Sequence, residues 1–570
     1  MKRISRPTLV AVPLVGFVIV ALLFALADIV NYAQLGMRFT PFSVAYPVSA
    51  LTYDETELYV PGARRFFVKN SVGTEVDVFE LRDTVGVYAG VAHSIVLGSM
   101  AKLVGSLEVA WIIGHALFPA SIWLLLFCCA RMLQLPLASA FLLATATCLI
   151  PFGPRNFFLL GQDAFIQPLE LSRLPQPGLS FAFLLLAIMG VSRAVAVRTI
   201  VAGIAAGVLV GVNFYSYYFY WIAIGLGLSA WLGAAAMFGR WTEVKALCVV
   251  GLTAAVTGLP FVGTIAISLQ SQLQKNLLER HGSFSRDFVP TDLGLALLLT
   301  GAVIWLYAQG RMRPLTTALA FVLAGGALGL NVHVLTGYDA QHHQHFMNRC
   351  VQPLFFFLIC MAVLQWLPRK PQWPWLYALA TLVLLSLGAY RQVRVARTIA
   401  EGHDRTQNSV QLVETLRDRI ADGSVVGSTD PQVLTLLPAV STLWTFVPLG
   451  DRTLASNDEI LRRFLLLRKL QGATISDVHA DFELKYPSKK NDRSLSYVLF
   501  VDPHHGERLH AKIDQMWPEL DLAKDLSVRR LNVLVTIGTP PVLSQSTGWQ
   551  LVKAKPIGKW SIFNLQPTKP

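Results

Sequence analysis

Charged residues are scarce in this chain of 570 residues: Asp, Glu, Lys and Arg together make up 15% of it, against about 25% in soluble domains. Hydrophobic residues make up 54%, and apolar runs of 15 to 24 residues recur between Thr8 and Tyr390. Such a run can cross a hydrocarbon layer about 30 Å thick as an α-helix. The composition therefore excludes a soluble enzyme and predicts a polytopic α-helical membrane protein.

Cysteine is also scarce, and its positions exclude two classes of small domain. The six cysteines all lie within or at the edge of apolar runs, and none follows Cys360. A disulfide framework or a zinc ribbon would need cysteines in a water-exposed domain. The net charge of +13 does not indicate a nucleic-acid partner, because the basic residues form short clusters between apolar runs.

Long apolar runs are absent after residue 390, which divides the chain into two predicted parts. Residues 1–390 are predicted to form a transmembrane domain with a long first outer loop at 31–106, and residues 391–570 a separate α/β domain. Asp430 and Pro431 are predicted to begin a packed turn. The elements predicted in the second part are a helix near 391–421, a strand at 424–427, a helix near 457–471, strands at 495–501 and 530–537, and a terminal hairpin at 549–565.

The hydrophobic pattern predicts eleven crossings, and the first of them is expected to be an uncleaved signal anchor. The stretch 86–104 is left out because it contains His93 and Lys102, and it is predicted to lie in the membrane interface as an amphipathic helix. The predicted spans are 8–30, 107–130, 135–152, 178–192, 199–213, 217–238, 246–268, 290–309, 314–335, 350–367 and 375–390.

Basic residues set the predicted orientation of these spans. The short connections on one side contain 12 Lys and Arg in 35 residues, whereas the loops on the other side contain 12 in 136 residues. The denser side is expected to be cytoplasmic. Eleven crossings then place the N-terminus in the cytoplasm and the C-terminal α/β domain in the periplasm or outside the cell.

Ionisable residues are almost absent from the middle of the predicted spans, which disfavours a proton-driven pump. The first outer loop instead contains Asp54 and Glu55, followed nine to ten residues later by Arg64 and Arg65. A carboxylate can deprotonate an acceptor hydroxyl and a guanidinium can bind a departing phosphate. The alternative is a solvated loop in which these residues form local ion pairs.

A second outer loop contains His342, His343, His345 and Arg349 directly before the tenth predicted span. An arginine at the start of an apolar span needs an anionic partner, which favours phosphate binding. A zinc site formed by the three histidines is an alternative, although no pair has the i, i+4 spacing of a helical zinc site. A solvated interfacial loop is the third interpretation.

Two further outer segments carry polar groups. Arg173 precedes Pro175 and Pro177, and the prolines would hold the chain extended where a lipid phosphate lies. Snorkelling of Arg173 to a headgroup explains the same pattern. The aromatic run 213–221 is predicted to anchor the chain at the interface, with sugar stacking as the alternative.

These motifs resemble those of the GT-C superfamily of glycosyltransferases that use lipid-phosphate sugars. The local match is Asp54-Glu55-x-x-x-Tyr59 followed by Arg64-Arg65, and later Pro119 before an apolar run that ends at Arg131. Further similarity lies in Arg173-x-x-x-Pro177-Gly178 and in the segment 336–349. The resemblance covers about residues 1–390, and its motifs are short.

The resemblance implies that Asp54, with Glu55, is the catalytic carboxylate of an inverting hexosyl or pentosyl transfer from a polyprenyl-phosphate donor. The donor phosphate would be bound by Arg64, Arg65, Arg173, His343, His345 and Arg349. It further implies a bacterial inner membrane location and an extracytoplasmic glycan, lipid or protein as acceptor. No aspartate stands two residues from Asp54 in a D-x-D pattern, so a divalent metal is left open. A membrane scaffold and a transporter of lipid-linked sugars remain alternatives.

Overall fold

The protein is described by a computed structural model. The described residues are 6–36, 39–41, 50–72, 90–150, 152, 173–174, 177–270, 275–276, 280, 282–283, 286–287, 289–337, 339–340, 344–366, 374–450, 453–483, 485–486, 493–500, 506–537, 541 and 548–568.

Helices dominate the described residues up to Arg419. The helices there are α1 (Arg6–Leu35), α2 (Ala50–Lys69), α3 (Val91–Val104), α4 (Leu107–Met132), α5 (Leu137–Leu149), α6 (Gly178–Val197), α7 (Ile200–Val212), α8 (Tyr218–Met237), α9 (Trp241–Leu269), α10 (Pro290–Ala308), α11 (Pro314–Gly329), α12 (Val332–Thr336), α13 (Gln344–Phe346), α14 (Gln352–Trp366) and α15 (Pro374–Arg419). A 3₁₀ turn at Asn213–Tyr215 follows α7, and a π-helical turn at Met347–Val351 joins α13 to α14.

The C-terminal part alternates short helices with strands. Its helices are α16 (Pro431–Val440), α17 (Asn457–Leu470), α18 (Ile475–Glu483), α19 (Leu495–Phe500), α20 (Gly506–Glu519) and α21 (Leu522–Val528). Two described strands lie earlier in the chain, β1 (Gly282–Ser283) and β2 (Asp339–Ala340). The described strands of the C-terminal part are β3 (Val425–Gly427), β4 (Trp444–Thr445), β5 (Lys485–Tyr486), β6 (Arg493–Ser494), β7 (Val533–Ile537), β8 (Trp549–Lys553) and β9 (Trp560–Pro567).

Each of the eleven predicted spans coincides with a helix. Among the described residues, eight helices are long and apolar enough to cross a membrane, judged by length and composition. The helices α5, α7 and α11 are shorter, at 13, 13 and 16 residues. The chain is therefore a polytopic α-helical membrane protein, and eleven crossings remain a prediction.

The eleventh predicted span and the helix predicted near 391–421 form one element. Helix α15 runs for 46 residues from Pro374 to Arg419. Its sequence changes from apolar to charged near Arg391 without a proline after Pro374, and Gly388 and Gly402 do not end the helix. The prediction of two separate elements was wrong because a change in polarity does not by itself interrupt backbone hydrogen bonding.

The chain packs as two compact units that are each discontinuous in sequence. The first unit comprises 1–37, 109–263 and 284–397, and the second comprises 38–108, 264–283 and 398–570. This division differs from the predicted continuous boundary between residues 390 and 391. The difference arises because α2 packs against α16 in the C-terminal part of the chain, and α3 packs against α2.

Small residues allow the helices of the first unit to approach closely. An added Cβ at Gly325 of α11 would lie 2.0 Å from the carbonyl oxygen of Ala223, and one at Gly227 of α8 would lie 2.4 Å from the carbonyl oxygen of Phe321. Such contacts are typical of helix pairs in membranes, where association depends on van der Waals packing. Packing of α8 against α11 positions the start of α8, which contributes to the candidate site described below.

The second unit contains a five-stranded mixed sheet in the order β4-β3-β7-β9-β8. Strand β3 is parallel to β4 and β7, whereas β9 is antiparallel to β7 and β8. Alternate residues face opposite sides, so that Val533 and Val535 join one buried cluster and Leu534 joins the other. The predicted α/β class and the terminal hairpin of β8 and β9 agree with this sheet.

Two predicted elements of this unit were wrong. The segment 495–501 was expected to be a strand, but Leu495–Phe500 is helix α19, in which Leu495 and Leu499 share a buried face at i, i+4 spacing. The segment after Asp430 was expected to be a turn, but it is the buried helix α16. Asp430 caps that helix, and its side chain accepts from the backbone N–H groups of Gln432 and Val433.

Helix α3 is present where an interfacial helix was predicted, and it packs against α2. A Cβ at Gly98 would lie 2.9 Å from the carbonyl oxygen of Ala63. His93 is fully buried beside Tyr59, and burial lowers the pKa of His93 to about 3, so that the imidazole is neutral. Leu103 at the end of α3 is 87% exposed. The location of α3 in the membrane interface stays a prediction.

Candidate functional site

The best-defined polar cluster of the first unit surrounds Arg349. This residue lies on the π-helical turn Met347–Val351 and is 4% exposed. Its guanidinium donates to the hydroxyl of Tyr217 at 2.6 Å, and Cζ lies 5.5 Å from the centroid of the Tyr217 ring. Because π-helical turns recur at functional sites, this turn is a candidate for ligand binding.

Two tyrosines at the start of α8 hold this turn. The Tyr217 hydroxyl also lies 2.9 Å from Nδ1 of His345, and the Tyr220 hydroxyl donates to the carbonyl oxygen of Arg349 at 3.0 Å. Tyr217 is 5% exposed and Tyr220 is fully buried. Interface anchoring, predicted for the aromatic run, was therefore wrong for these two residues, although Tyr218 between Tyr217 and Phe219 is 39% exposed.

The histidine motif is described only in part. His345 lies on α13, with its ring 5.1 Å from that of Phe219, whereas His342 and His343 lie outside the described residues. Within the part of the chain that the structure describes, no group of three or more His, Cys, Asp or Glu side chains is arranged to hold a metal ion. The zinc alternative formed by His342, His343 and His345 falls partly outside that region.

The predicted catalytic carboxylates lie on a helix rather than in a loop. Asp54 and Glu55 belong to α2, and their side chains lie outside what the structure describes. Ten helical residues separate Asp54 from Arg64, which corresponds to about 15 Å along the helix axis. One small group therefore cannot be expected to contact both ends of this segment, and the two predicted roles become separate proposals.

The arginine pair of α2 is buried within the second unit. Arg64 donates to Glu108 Oε1 at 2.7 Å and to the carbonyl oxygen of Ala439, at the end of α16. Arg65 donates to the carbonyl oxygen of Thr442 at 3.4 Å, and its guanidinium lies 3.5 Å from the Trp444 ring centroid. These contacts favour a packing role for the pair, and phosphate binding by Arg64 and Arg65 stays a prediction.

The Arg64 guanidinium experiences two opposing effects. Burial lowers its pKa, while the carboxylate of Glu108 acts in the opposite direction. An arginine stays charged in proteins, so Arg64 is a buried cation whose described contacts include one carboxylate and one helix C-terminal carbonyl. A cation in that position is favoured by the partial negative charge of the C-terminal end of α16.

We expect Arg64→Met to lower the free energy of unfolding by about 1–3 kcal/mol, because the Ala439 carbonyl oxygen and Glu108 Oε1 lose the Arg64 donor, whereas Glu108 Oε2 still accepts from Ser106. Thermal unfolding of the full chain in detergent measures this effect. Arg417→Met is the matched control, since Arg417 is 41% exposed in its side chain. An Arg64→Met protein as stable as that control, with weaker binding of a polyprenyl phosphate, would favour the phosphate role instead.

Arg173 lies in a turn before α6 and is partly buried. Its carbonyl oxygen accepts from the N–H of Gly178 at 2.9 Å, and the adjacent Leu174 packs against Gly114 of α4. The segment thus fixes the N-terminal end of α6. Binding of a lipid phosphate by the Arg173 guanidinium stays a prediction.

An ionisable pair that the sequence analysis missed joins α1 to α4. Asp28 is 7% exposed, and its Oδ2 lies 2.8 Å from Nδ1 of His115. One turn beyond Asp28, Asn31 is fully buried, and neither polar atom of its amide has a hydrogen-bond partner among the described residues. The i, i+3 spacing of Asp28 and Asn31 in an apolar run was the available signal.

Comparison with other proteins returned no matching family model and no matching curated protein. Among solved structures, the chain is similar to ArnT from Cupriavidus metallidurans. The apo crystal structure has a TM-score of 0.42 and 14% identity, covering 74% of this chain and 84% of the ArnT chain. The structure bound to undecaprenyl phosphate has a TM-score of 0.44 and 12% identity, covering 95% and 97%. Neither match assigns a role to a residue of this chain.

Proposed function

We propose that this chain is a GT-C-type membrane glycosyltransferase that moves a sugar from a polyprenyl-phosphate donor to an extracytoplasmic glycan, lipid or protein. The observation that supports this best is the cluster around Arg349. A buried guanidinium, a histidine and a tyrosine hydroxyl converge at the start of an apolar helix. Arginine is suited to phosphate because its planar fork can donate two parallel hydrogen bonds.

In the proposed reaction Asp54 removes the proton from the acceptor hydroxyl. The acceptor oxygen forms a bond to the anomeric carbon, and the bond from that carbon to the phosphate oxygen breaks. The polyprenyl phosphate leaves with the bonding electron pair, and one displacement inverts the anomeric centre. Arg349 and His345 would stabilise the negative charge on the departing phosphate. Glu55, Arg173 and His343 are further proposed site residues.

The role of Asp54 is tested by comparing three strains at matched protein level: wild type, a deletion, and Asp54→Asn. We expect one sugar to be lost from a surface glycan or lipid, with its polyprenyl-phosphate donor accumulating, in both the deletion and the Asp54→Asn strain. Transfer measured in membranes should fall about 10²–10⁴-fold, the effect of removing a general base.

Asp418→Asn provides the control for this comparison, because Asp418 is 65% exposed in its side chain and pairs with its neighbour Arg417. It should retain wild-type transfer. A changed deletion strain together with an unchanged Asp54→Asn strain would remove Asp54 as the base. That outcome would favour a membrane scaffold or a transporter of lipid-linked sugars.

A further inference from the structure

A single hydroxyl group connects two of the residues that are proposed to bind the donor phosphate. The Tyr217 oxygen lies 2.6 Å from Nη1 of Arg349 and 2.9 Å from Nδ1 of His345. Arg349 and His345 are four residues apart across the junction of α13 and the π-helical turn, while Tyr217 comes from a different part of the chain. The relative position of the two side chains therefore depends on a residue outside their own segment.

Chemistry fixes the direction of the hydrogen bond between Arg349 and Tyr217, whereas the direction of the bond between Tyr217 and His345 depends on the histidine tautomer. A guanidinium can only donate, so the Tyr217 oxygen accepts from Arg349. The hydroxyl proton of Tyr217 can then be donated to Nδ1 of His345, an assignment that satisfies both groups. In this arrangement the neutral His345 ring carries its own proton on Nε2, and the orientation of both side chains is set by one oxygen atom.

Apolar contacts hold the Tyr217 ring and the backbone of the turn in place. The Tyr217 ring centroid lies 5.2 Å from that of Phe219 and 4.9 Å from that of Tyr220. Tyr220 in turn donates to the Arg349 carbonyl oxygen. Tyr220 thus fixes the backbone at Arg349, whereas Tyr217 fixes the guanidinium.

We propose that Tyr217 is a positioning residue for a phosphate group, holding Arg349 and His345 in the orientation that binds it. This inference rests on the proposed function, and it adds a residue whose role acts through Arg349. The ligand class is a phosphate ester, and a lipid phosphate or free inorganic phosphate would present the same oxygens. The arms of the experiment distinguish these two sources.

The test compares Tyr217→Phe with Tyr218→Phe in the full chain purified in detergent. Each variant removes one hydroxyl at adjacent positions, but Tyr218 is 39% exposed and lies next to the cluster. We expect the Kd for undecaprenyl phosphate to rise about five- to tenfold in Tyr217→Phe and less than twofold in Tyr218→Phe. Inorganic phosphate, titrated in parallel, should compete only weakly if the lipid is the ligand.

Two further measurements distinguish a positioning role of Tyr217 from a purely structural one. The donor KM should rise in Tyr217→Phe, and kcat at saturating donor should fall as well, because Arg349 and His345 are proposed to stabilise the departing phosphate. In an Arg349→Lys background, which lacks the planar fork, Tyr217→Phe should raise the Kd by a smaller factor than in the wild type, because only the positioning of His345 is then lost. A wild-type Kd in Tyr217→Phe, or full additivity with Arg349→Lys, would overturn the proposal.

Arg349→Lys alone keeps the proposal testable if Tyr217→Phe does not fold. It should raise the Kd about as much as Tyr217→Phe, because lysine keeps the charge without the fork geometry. Wild-type affinity in Arg349→Lys would also contradict the inference. Normal lipid binding without any sugar transfer would instead contradict the proposed function, and loss of transfer in Asp54→Asn with an unaffected Tyr217→Phe would contradict only the role of Tyr217.

Discussion

Arg280→Met is expected to destabilise the second unit by about 3–5 kcal/mol. Arg280 is 5% exposed and donates to the carbonyl oxygens of Gly450 at 2.7 Å, Ala455 at 2.8 Å and Thr453. It also donates to Oδ1 of Asn457, the first residue of α17, at 3.0 Å. Methionine fills a similar volume but leaves these buried acceptors without that donor.

The measurement is thermal unfolding of the full chain in detergent, followed by intrinsic fluorescence. For a unit of this size a loss of 3 kcal/mol corresponds to a fall in Tm of about 6 °C or more. Lys275→Met, an exposed position on the same segment, is the control and should shift the Tm by less than 1 °C. If Arg280→Met melts together with Lys275→Met, these hydrogen bonds contribute little to the stability of the unit.

The importance of Arg280 could not have been predicted from the sequence. Its segment was treated as one of several outer loops, and an isolated arginine in a loop gives no indication of burial. The carbonyl groups that it contacts belong to a turn about 170 residues later in the chain. Such pairs depend on tertiary packing, which short motifs and local periodicity do not encode.

The membrane helices, in contrast, were predictable because their formation depends on the local sequence. A run of apolar residues forms a helix in lipid because its backbone groups have no other hydrogen-bond partners. This requirement is local, and each predicted span accordingly contains a helix. The short helix α19 was missed because an apolar run of six or seven residues fits a strand or a buried helix equally well.

The candidate site could be predicted from the sequence only in part. Arg349 was identified from the sequence because a charged residue at the start of an apolar span is unusual and needs compensation. Tyr217 was assigned to interface anchoring, since an aromatic run at the end of a span fits an interfacial belt and a packed site alike. Only the tertiary contact between the start of α8 and the π-helical turn distinguishes the two.

The hydrogen-bonded pair of Asp28 and His115 leads to the second large stability effect. We expect His115→Leu to lower the free energy of unfolding by about 3–5 kcal/mol, because it leaves the buried Asp28 carboxyl group without its described partner, and Asp28→Leu to lower it by less, because His115 is only half-buried. The double variant should be less destabilised than the sum of the two, since a pair of apolar residues needs no compensation. Thermal unfolding in detergent of all four proteins gives the coupling energy.

Asn31→Leu is the matched control for this cycle, because it changes a buried polar residue one turn away on the same helix. Within the part of the chain that the structure describes, both amide atoms of Asn31 are buried without a hydrogen-bond partner, and such groups cost about 1–3 kcal/mol. A leucine there should therefore leave the Tm unchanged or raise it. If Asp28→Leu behaves like Asn31→Leu, the pair does not stabilise the contact between α1 and α4, and the intramembrane carboxylate must be explained by function rather than by folding.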